Sequence, residues 1–541
     1  MRHLIFRSKY GSYIFIFILS IFTLTSCLTT EFNPESETTI ETGSVTSMPH
    51  ITGGTSSVEN ITAKSPTFES SVNVKNLFKA YGDKISLSPI SETFSEYKVA
   101  YHTRYSYSVN YENRLSGTLI ADFYELNGND IYYCVKMEGL SDAATELQME
   151  LYFDVKDQYT YRYYSYPKGR DNVSSVLNGP FDSGQVPLSQ PYTTYAEGDG
   201  FSMVLSCVNA YEKKNNEVLR DAIDKSSVVQ ISDGLIKLNL FIEENYIVEH
   251  WGIFSKDLLV DFSDAETAAV VKLADFGRFR KWTMNGQYYI TPVSYIPSGE
   301  DYFYKNVAHH VGEKFLRTDG KYFDIMSKVA LYVAVQDQNQ TGIWPTTAES
   351  QWLSGDYGIK ENFYDTRFNT DVGLFLIRGY RKHKDPALLV SAEKYANFLV
   401  DYAITHNFRT ENGGYLVWDY TDKDLSLLPN HVSLNHLVTE MNFIYEMYIE
   451  TKKPVYLLLG DKIKLAVDDT YSDWPKENND LWYAYMPDGS YDRLDYVNLT
   501  LKDLRYSQQL IRLIYGRDDD KFDFLIRSKE SYLKANNLPL Y

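Results

Sequence analysis

Two periodicities divide the chain. From about Tyr97 to Phe262, aromatic and β-branched residues alternate with polar ones, the signature of strands. The strands predicted are Tyr97–Asn110, Leu115–Leu126, Asp130–Met137, Glu146–Asp154, Tyr159–Tyr166, Gly200–Cys207, Gly234–Phe241 and Tyr246–Phe254. Turn-forming stretches such as Asn127-Gly128-Asn129-Asp130 separate them, which implies an antiparallel sheet with one buried face. A single helix is expected to interrupt it near Glu212–Ile223. A sandwich-like accessory domain suits this pattern best, with a curved open barrel as the alternative. From about Asp301 the apolar spacing becomes helical, predicting Lys321–Val335, Asp365–Lys382, Pro386–Ile404, Ser433–Glu450, Pro454–Asp468, Leu499–Tyr515 and Phe522–Lys534. Ser433 is the expected N-cap of its helix, whose apolar face is Leu434, Leu437, Val438, Met441, Ile444, Tyr445 and Tyr448.

The helical half carries a degenerate repeat. Tyr380 to Pro386 joins one helix to the next, and Tyr448 to Pro454 does so with the same spacing. Proline suits the first turn of a helix, where its missing N–H is not needed. Tyr515-Gly516-Arg517-Asp518 and Arg317-Thr318-Asp319-Gly320 are candidate joints for two further pairs. Hairpins repeating at this length predict an incomplete α/α toroid of about four hairpins, with a generic helical solenoid as the alternative. The fold class expected is therefore multidomain α+β, an antiparallel β-rich domain followed by this toroid. If the short joints share one end, the long loops 337–364, 407–432 and 471–498 share the other. They carry Trp344, Trp352, Tyr357, Tyr364, Trp418, Asp419, Tyr420, Trp474, Trp482, Tyr483, Tyr485, Tyr491, Arg493, Asp495 and Tyr496. Aromatic rings and carboxylates at one mouth suit a carbohydrate.

Composition narrows the options. A length of 541 residues exceeds one core and implies two or three domains. A net charge of −19 argues against nucleic acid as a partner and requires a local basic site for any acidic ligand. Tyrosine is abundant, at 47 residues, but strands absorb much of that excess. Cys134 and Cys207 are either a disulfide or two buried thiols. No CxxC or His/Cys cluster is present, so no metal site is expected, and no cofactor is implied. At the N-terminus, Arg2, His3, Arg7 and Lys9 precede the apolar run Tyr13–Leu24, and Leu24-Thr25-Ser26-Cys27 follows. Residues 28–80 are rich in Ser, Thr, Glu and Gly and read as a disordered tether.

Two resemblances add to this reading. The first 27 residues resemble the signal of bacterial lipoproteins, which implies cleavage before Cys27, lipidation of that residue, and an outward-facing protein anchored to the membrane. The domains expected are then 1–27 signal, 28–80 tether, 81–275 β-rich and 290–541 helical. Trp418-Asp419-Tyr420, then Ser433-Leu434-Asn435, then Arg493-Leu494-Asp495-Tyr496 with one hairpin after it, resemble the C-terminal domain of the glucuronyl C5-epimerases. The likeness covers roughly the last 200 residues. It implies two-sided proton transfer at C5 of glucuronate in an acidic polysaccharide. On it, Tyr420 and Tyr496 flank C5, Asp419 assists, and Arg493 or Arg367 offsets the substrate carboxylate. The tyrosines would need neighbours that bring their pKa down from about 10. Trp344, Tyr364, Trp418, Trp482, Asp495 and Asn435 complete the substrate-binding set. The chain departs from the family in one place, with Asp419 where the family has Glu.

Each residue also has a structural role open to it. Tyr420 and Tyr496 can pack loop against helix, and Asp419 and Asp495 can cap or turn. Arg367 can pair with Asp365 or Asp371, Trp344 and Trp482 can be core, and His431 and His436 suit capping or packing. A toroid lyase, a glycoside hydrolase using Asp419 with Asp495 or Asp365, and a non-catalytic envelope-glycan-binding lipoprotein are the alternatives to the epimerase.

Overall fold

The structure is a computed structural model. It describes residues 61–62 and 75–540, apart from 127–129, 143–144, 153–158, 166–176, 179–181, 184–192, 215–217, 228, 233–234, 276–280, 285, 292, 300 and 308. The expected signal, Cys27 and most of the expected tether lie outside the described residues. Lys75–Tyr81, placed in the tether by composition, is a strand paired with Thr145–Tyr152.

All eight expected strands are present, and they build two sheets rather than one. The small sheet contains Lys75–Tyr81, Thr145–Tyr152, Leu235–Ile242 and Gln230–Ser232. The large sheet is centred on Tyr246–Ser255, which pairs with Asp130–Gly139 on one side and with Phe201–Leu205 and Asn209–Lys213 on the other. The two sheets pack face to face through Leu119, Phe123, Tyr133, Val135, Leu147, Met149, Leu238 and Leu240. This is the expected sandwich. Its large sheet, however, is buried on both faces. Side chains alternate across a strand, so Ile131, Tyr133 and Val135 meet the small sheet while Tyr132 and Cys134 meet the helices. The expectation of one buried face is corrected accordingly.

Three further differences concern element type and boundary. The expected helix at Glu212–Ile223 is a hairpin, Asn209–Lys213 with Val218–Asp221, held between Tyr246–Ser255 and Tyr302–Asn306. A helix at Ala265–Asp275 (α1) was not foreseen; Asp264 opens it by accepting the Thr267 N–H at 2.8 Å. Gly286–Ile290 and Tyr302–Asn306 extend the large sheet, so the helical half begins at His309, not near residue 290.

The helices then pair as antiparallel hairpins: α2 (His309–Arg317) with α3 (Lys321–Asp337), α5 (Thr366–His383) with α6 (Pro386–Thr405), α7 (Leu434–Thr451) with α8 (Pro454–Thr470), and α9 (Leu499–Tyr515) with α10 (Asp520–Ala535). A short helix, α4 (Gln351–Tyr357), lies in the first long loop. One row contains α2, α5, α7 and α9 in contact order, the other α3, α6, α8 and α10. The repeat seen in the sequence has a common geometry. Lys384 and Lys452 end α5 and α7 at φ 54° and 58°, their N–H groups return to the Tyr380 and Tyr448 carbonyls, and Pro386 and Pro454 start the next helices. Neighbouring helices approach closely where side chains are absent. A Cβ on Gly373 would lie 2.6 Å from the Phe443 ring, and one on Gly460 2.4 Å from the Tyr445 ring. The amphipathic face expected for α7 understates its position, since every residue from Leu434 to Met447 is buried.

The β-rich and helical halves share one core, which runs from Tyr124, Tyr132 and Trp251 into α2 and α3. Tyr97 stacks on Tyr332 at 4.0 Å, and the Gln336 amide meets Tyr97, His102 and Tyr124. Cys134 and Cys207 are separate buried thiols. Among the described residues no helix is long and apolar enough to cross a membrane.

Candidate functional site

The three long loops converge and are zipped together by short ladders. Tyr364–Asp365 pairs with Tyr420–Thr421; Val432–Ser433 pairs with Trp482–Tyr485, which pairs with Tyr491–Leu494. Thr346 bridges Phe363 within the first loop. The expected gathering of the loops at one end is therefore present, and backbone hydrogen bonds fix it.

Asp419 lies at the centre of this junction with 0 % of its surface exposed. Its carboxylate accepts the Ser433 N–H at 2.9 Å and the Ser433 hydroxyl. Ser433 precedes α7, but its hydroxyl serves Asp419 and does not cap the helix. His431 Nε2 and His436 Nδ1 stand 3.4 and 3.6 Å from Asp419. Burial pushes Asp419 well above the usual carboxylate range, against the pull of Ser433. Burial likewise pushes His431 down to about 3 and His436 well down, so both rings are neutral. The expectation that these histidines pack holds. Each is also held by a hydroxyl, His431 by Tyr357 at 3.0 Å and His436 by Thr366 at 2.9 Å. Beneath them Glu440 is buried in α7 and pushed well up by that burial.

Tyr420, 6 % exposed, is enclosed by the rings of Trp352, Phe363, His431 and His436. Burial drives its phenol well above its ordinary value, and Tyr496 is also raised by burial although Arg367 opposes the shift. The lowering expected for both tyrosines is therefore reversed, and both stay protonated at neutral pH.

A second group keeps accessible surface while remaining desolvated, the mark of side chains in a concave wall. Tyr295, Tyr483, Tyr496, Asp365 and Asp371 are half-buried, and His310 is exposed. Even so, burial pushes the Tyr483 phenol well up and His310 down to about 3. Asp365 caps α5 by accepting the Phe368 N–H at 2.9 Å. Burial, with Asp371 nearby, raises its carboxyl to about 6. For Asp371 burial acts upward too, but Arg367 and the two histidines of α2 outweigh it and hold it low.

The remaining expected site residues divide sharply. Arg493, at φ 70°, spans the entrance, with its guanidinium 5.0 Å from the Trp352 ring and 3.2 Å from Asp356. Arg367 is already committed. It donates to Asp371 at 3.0 Å, Asp503 at 2.6 Å and the Asn435 carbonyl at 3.2 Å, so its pairing is with Asp371 and not Asp365. Asn435 is buried beside it. Trp344 and Tyr364 are core residues and not sugar platforms. The Trp344 indole donates to the Ala334 carbonyl at 2.8 Å, and the Tyr364 hydroxyl meets that of Tyr395 at 3.0 Å. Trp418 is buried against His406 and Phe408. Trp482 lies under the Lys476 ammonium, and strand alternation turns it away from Tyr483. Asp495 is bound to Lys529 and Thr500, both at 2.6 Å, so it is structural. The expected catalytic and substrate-binding set leaves out Tyr295, His310, Asp371 and Tyr483, although Tyr483 stands among the expected mouth residues. The alternation that puts Tyr483 opposite Trp482 was its one available signal.

No protein-family model matches the chain, and no curated protein matches it. Three solved structures illustrate its structural likenesses. D-mannose isomerase is 13% identical over 51% of this chain and 71% of that chain, with a TM-score of 0.38. A cellobiose 2-epimerase from Bacillus thermoamylovorans is 12% identical over 42% and 59%, with a TM-score of 0.33. A family 76 glycoside hydrolase from a bovine Bacteroides thetaiotaomicron strain is 12% identical over 73% and 76%, with a TM-score of 0.34. At these scores the likenesses decide neither family nor reaction.

Proposed function

We propose that this chain is a carbohydrate-active enzyme that inverts C5 of D-glucuronate units in an acidic polysaccharide, working from an incomplete α/α toroid. The observation that carries the reading is a base and an acid in one cleft. Asp365, at about 6, is ionised near pH 7, while Tyr496, raised by burial, is a neutral donor within its electrostatic reach. Epimerisation needs such a pair, since a proton leaves one face of C5 and another arrives at the opposite face. Asp365 takes the base role first assigned to a tyrosine, and Tyr496 supplies the proton. Tyr420 and Asp419 lie beneath them and hold the Trp418–Thr421 segment in place. Arg493, whose partner Asp356 is exposed, offsets the substrate carboxylate on this reading, whereas the more buried Arg367 is held by two carboxylates.

One cation supports an acidic glycan. Lys502 is exposed on α9 and makes no ion pair among the described residues. Burial, with Arg317, Arg378 and Arg367, pushes its ammonium down although Asp503 opposes the shift. On the same reading the protein is lipid-anchored through Cys27, faces outward and works on an envelope or extracellular polymer.

The test is deuterium incorporation at C5, followed by NMR, when the lipid-free protein meets heparosan-type and other uronate polymers in heavy water. Incorporation without chain cleavage is expected, and Tyr496→Phe abolishes it while the circular-dichroism spectrum is retained. Exchange that persists in Tyr496→Phe removes the tyrosine from the mechanism. Glycoside hydrolysis is the second reading, favoured by Asp365 and Asp371 as neighbouring carboxylates in the cleft. A new reducing end would select it, an unsaturated end a lyase, and glycan binding without turnover a binding protein.

A further inference from the structure

We infer that His309, His310 and Asp371 form a binding site for a divalent transition-metal ion in the wall of this cleft. One ligand atom from each residue lies within 4.8 Å of the others. Around a Zn²⁺ ion with bonds of about 2.0–2.1 Å, ligand atoms are at most about 4.2 Å apart, so a sub-ångström closing of side chains completes the set. His310 is exposed beside His309, with ring centroids 3.9 Å apart.

His309 provides the independent evidence. It is 1 % exposed, and its Nδ1 bonds to the Val307 carbonyl at 2.7 Å. A carbonyl can only accept, so Nδ1 carries the proton and the lone pair is on Nε2. That Nε2 is buried without a hydrogen-bond partner. A buried acceptor left without a donor costs on the order of 1–3 kcal/mol, and a metal ion would satisfy it. An imidazole whose far nitrogen is held by a backbone carbonyl is also how metal-ligating histidines are fixed. Asp371 is ready for the same role. Arg367 takes its Oδ2 at 3.0 Å, and among the described residues no hydrogen bond reaches Oδ1. Arg367 also holds Asp503 at 2.6 Å, so Asp371 can turn to a cation without leaving the guanidinium unpaired.

The donor set names the class of ion. Two imidazoles and one carboxylate suit Zn²⁺, Co²⁺, Mn²⁺ or Fe²⁺ and leave positions open for outside oxygens, whereas Ca²⁺ and Mg²⁺ take all-oxygen sites. The sequence hid the site because His309 and His310 are adjacent and Asp371 is distant, a spacing that matches no metal motif.

The test uses the full lipid-free chain, stripped with a chelator and titrated with Co²⁺ by visible spectroscopy and with Zn²⁺ by calorimetry. One ion per chain is expected, with imidazole-type Co²⁺ bands, and His310→Ala and Asp371→Asn each weaken binding by more than about tenfold. His310 is on the surface, so its variant folds even if one at His309 does not. Absence of saturable binding in the parent chain, or equal binding in both variants, overturns the inference. The readout is metal binding, so it stands or falls independently of C5 exchange.

Discussion

Lys529→Met is the perturbation whose size follows most directly from the structure. Lys529 projects from α10 into the third long loop, where its ammonium, 1 % exposed, meets Asp495 and Asp480 at 2.6 Å each. Burial alone lowers an ammonium, but the two carboxylates reverse this and Lys529 is raised; Asp495 is raised by burial even with Lys529 beside it. Methionine keeps the side chain's length and removes the charge. Asp480 retains Lys476 at 3.4 Å, whereas Asp495 is left with the Thr500 hydroxyl. Breaking one side of a buried pair costs about 3–5 kcal/mol. The carboxyl can escape part of this by taking up a proton. Relative to an unfolded pKa near 3.9, protonation at pH 7 costs about 4 kcal/mol, at 1.36 per unit, and that ceiling falls to about 1.5 kcal/mol at pH 5. The sign follows from the raised folded pKa. A carboxyl raised on folding destabilises in its ionised form, so the variant's deficit grows above the unfolded pKa and shrinks as the pH falls. Urea denaturation followed by circular dichroism at 222 nm, at pH 7, 6 and 5, reads the helical half. The expected deficit is about 3–4 kcal/mol at pH 7, closing by roughly 1.4 per unit below it, and Lys529→Met with Asp495→Asn removes the pH dependence. A deficit below about 1 kcal/mol, or one constant from pH 7 to 5, would refute the reasoning.

Two further predictions follow from single contacts. Asp365→Asn should abolish exchange at C5 while the α5 cap survives, since asparagine caps as well as aspartate. In the parent chain kcat/KM should rise through about pH 6 as Asp365 ionises; its folded pKa is raised, so the stability it contributes is present at low pH and lost as the pH climbs through that value, and the variant should lack this decline. A flat pH–rate profile between 5 and 7 would exclude Asp365 as the base. Gly373→Ala should cost roughly 1–3 kcal/mol by overpacking, because its Cβ would meet the Phe443 ring at 2.6 Å, and an unchanged thermal midpoint would show that α5 and α7 are not in register there.

Most of the fold was legible because its periods are strong. Seven of the eight hairpin helices repeat apolar residues over several turns, the exception being the short α2, and the Tyr-to-Pro joints mark two of the reversals. The failures have tertiary causes. Glu212 to Ile223 carries Val218, Leu219, Ala222 and Ile223 at spacings a helix can use, yet two neighbouring strands have edges to satisfy there, and backbone pairing with Tyr246–Ser255 and Tyr302–Asn306 prevails. The second buried face of the large sheet was hidden for a related reason. Tyrosine reads as a residue for either side of a sheet, and Tyr124 and Tyr132 were needed inside. The loops were placed correctly at one end, but which of their aromatics face the cleft depends on strand register, and that is why Trp482 was chosen over Tyr483.

The two Asp-Tyr pairs gain a common meaning once the acids are located. In each, the aspartate is buried and ties its loop to the helices. Asp419 binds Ser433 at the start of α7; Asp495 binds Thr500 in α9 and Lys529 in α10. In each, the next residue is a tyrosine whose phenol burial keeps protonated. Anchoring the acid fixes the backbone from which the adjacent tyrosine projects. The motif is therefore a positioning device first. It explains why residue type alone nominated the aspartates for chemistry, since a carboxylate beside a tyrosine looks the same in sequence whether it moves a proton or holds a loop. On the proposed reading the proton-transfer role falls to a carboxylate outside both pairs, Asp365, whose ladder with Tyr420–Thr421 brings it to the same junction.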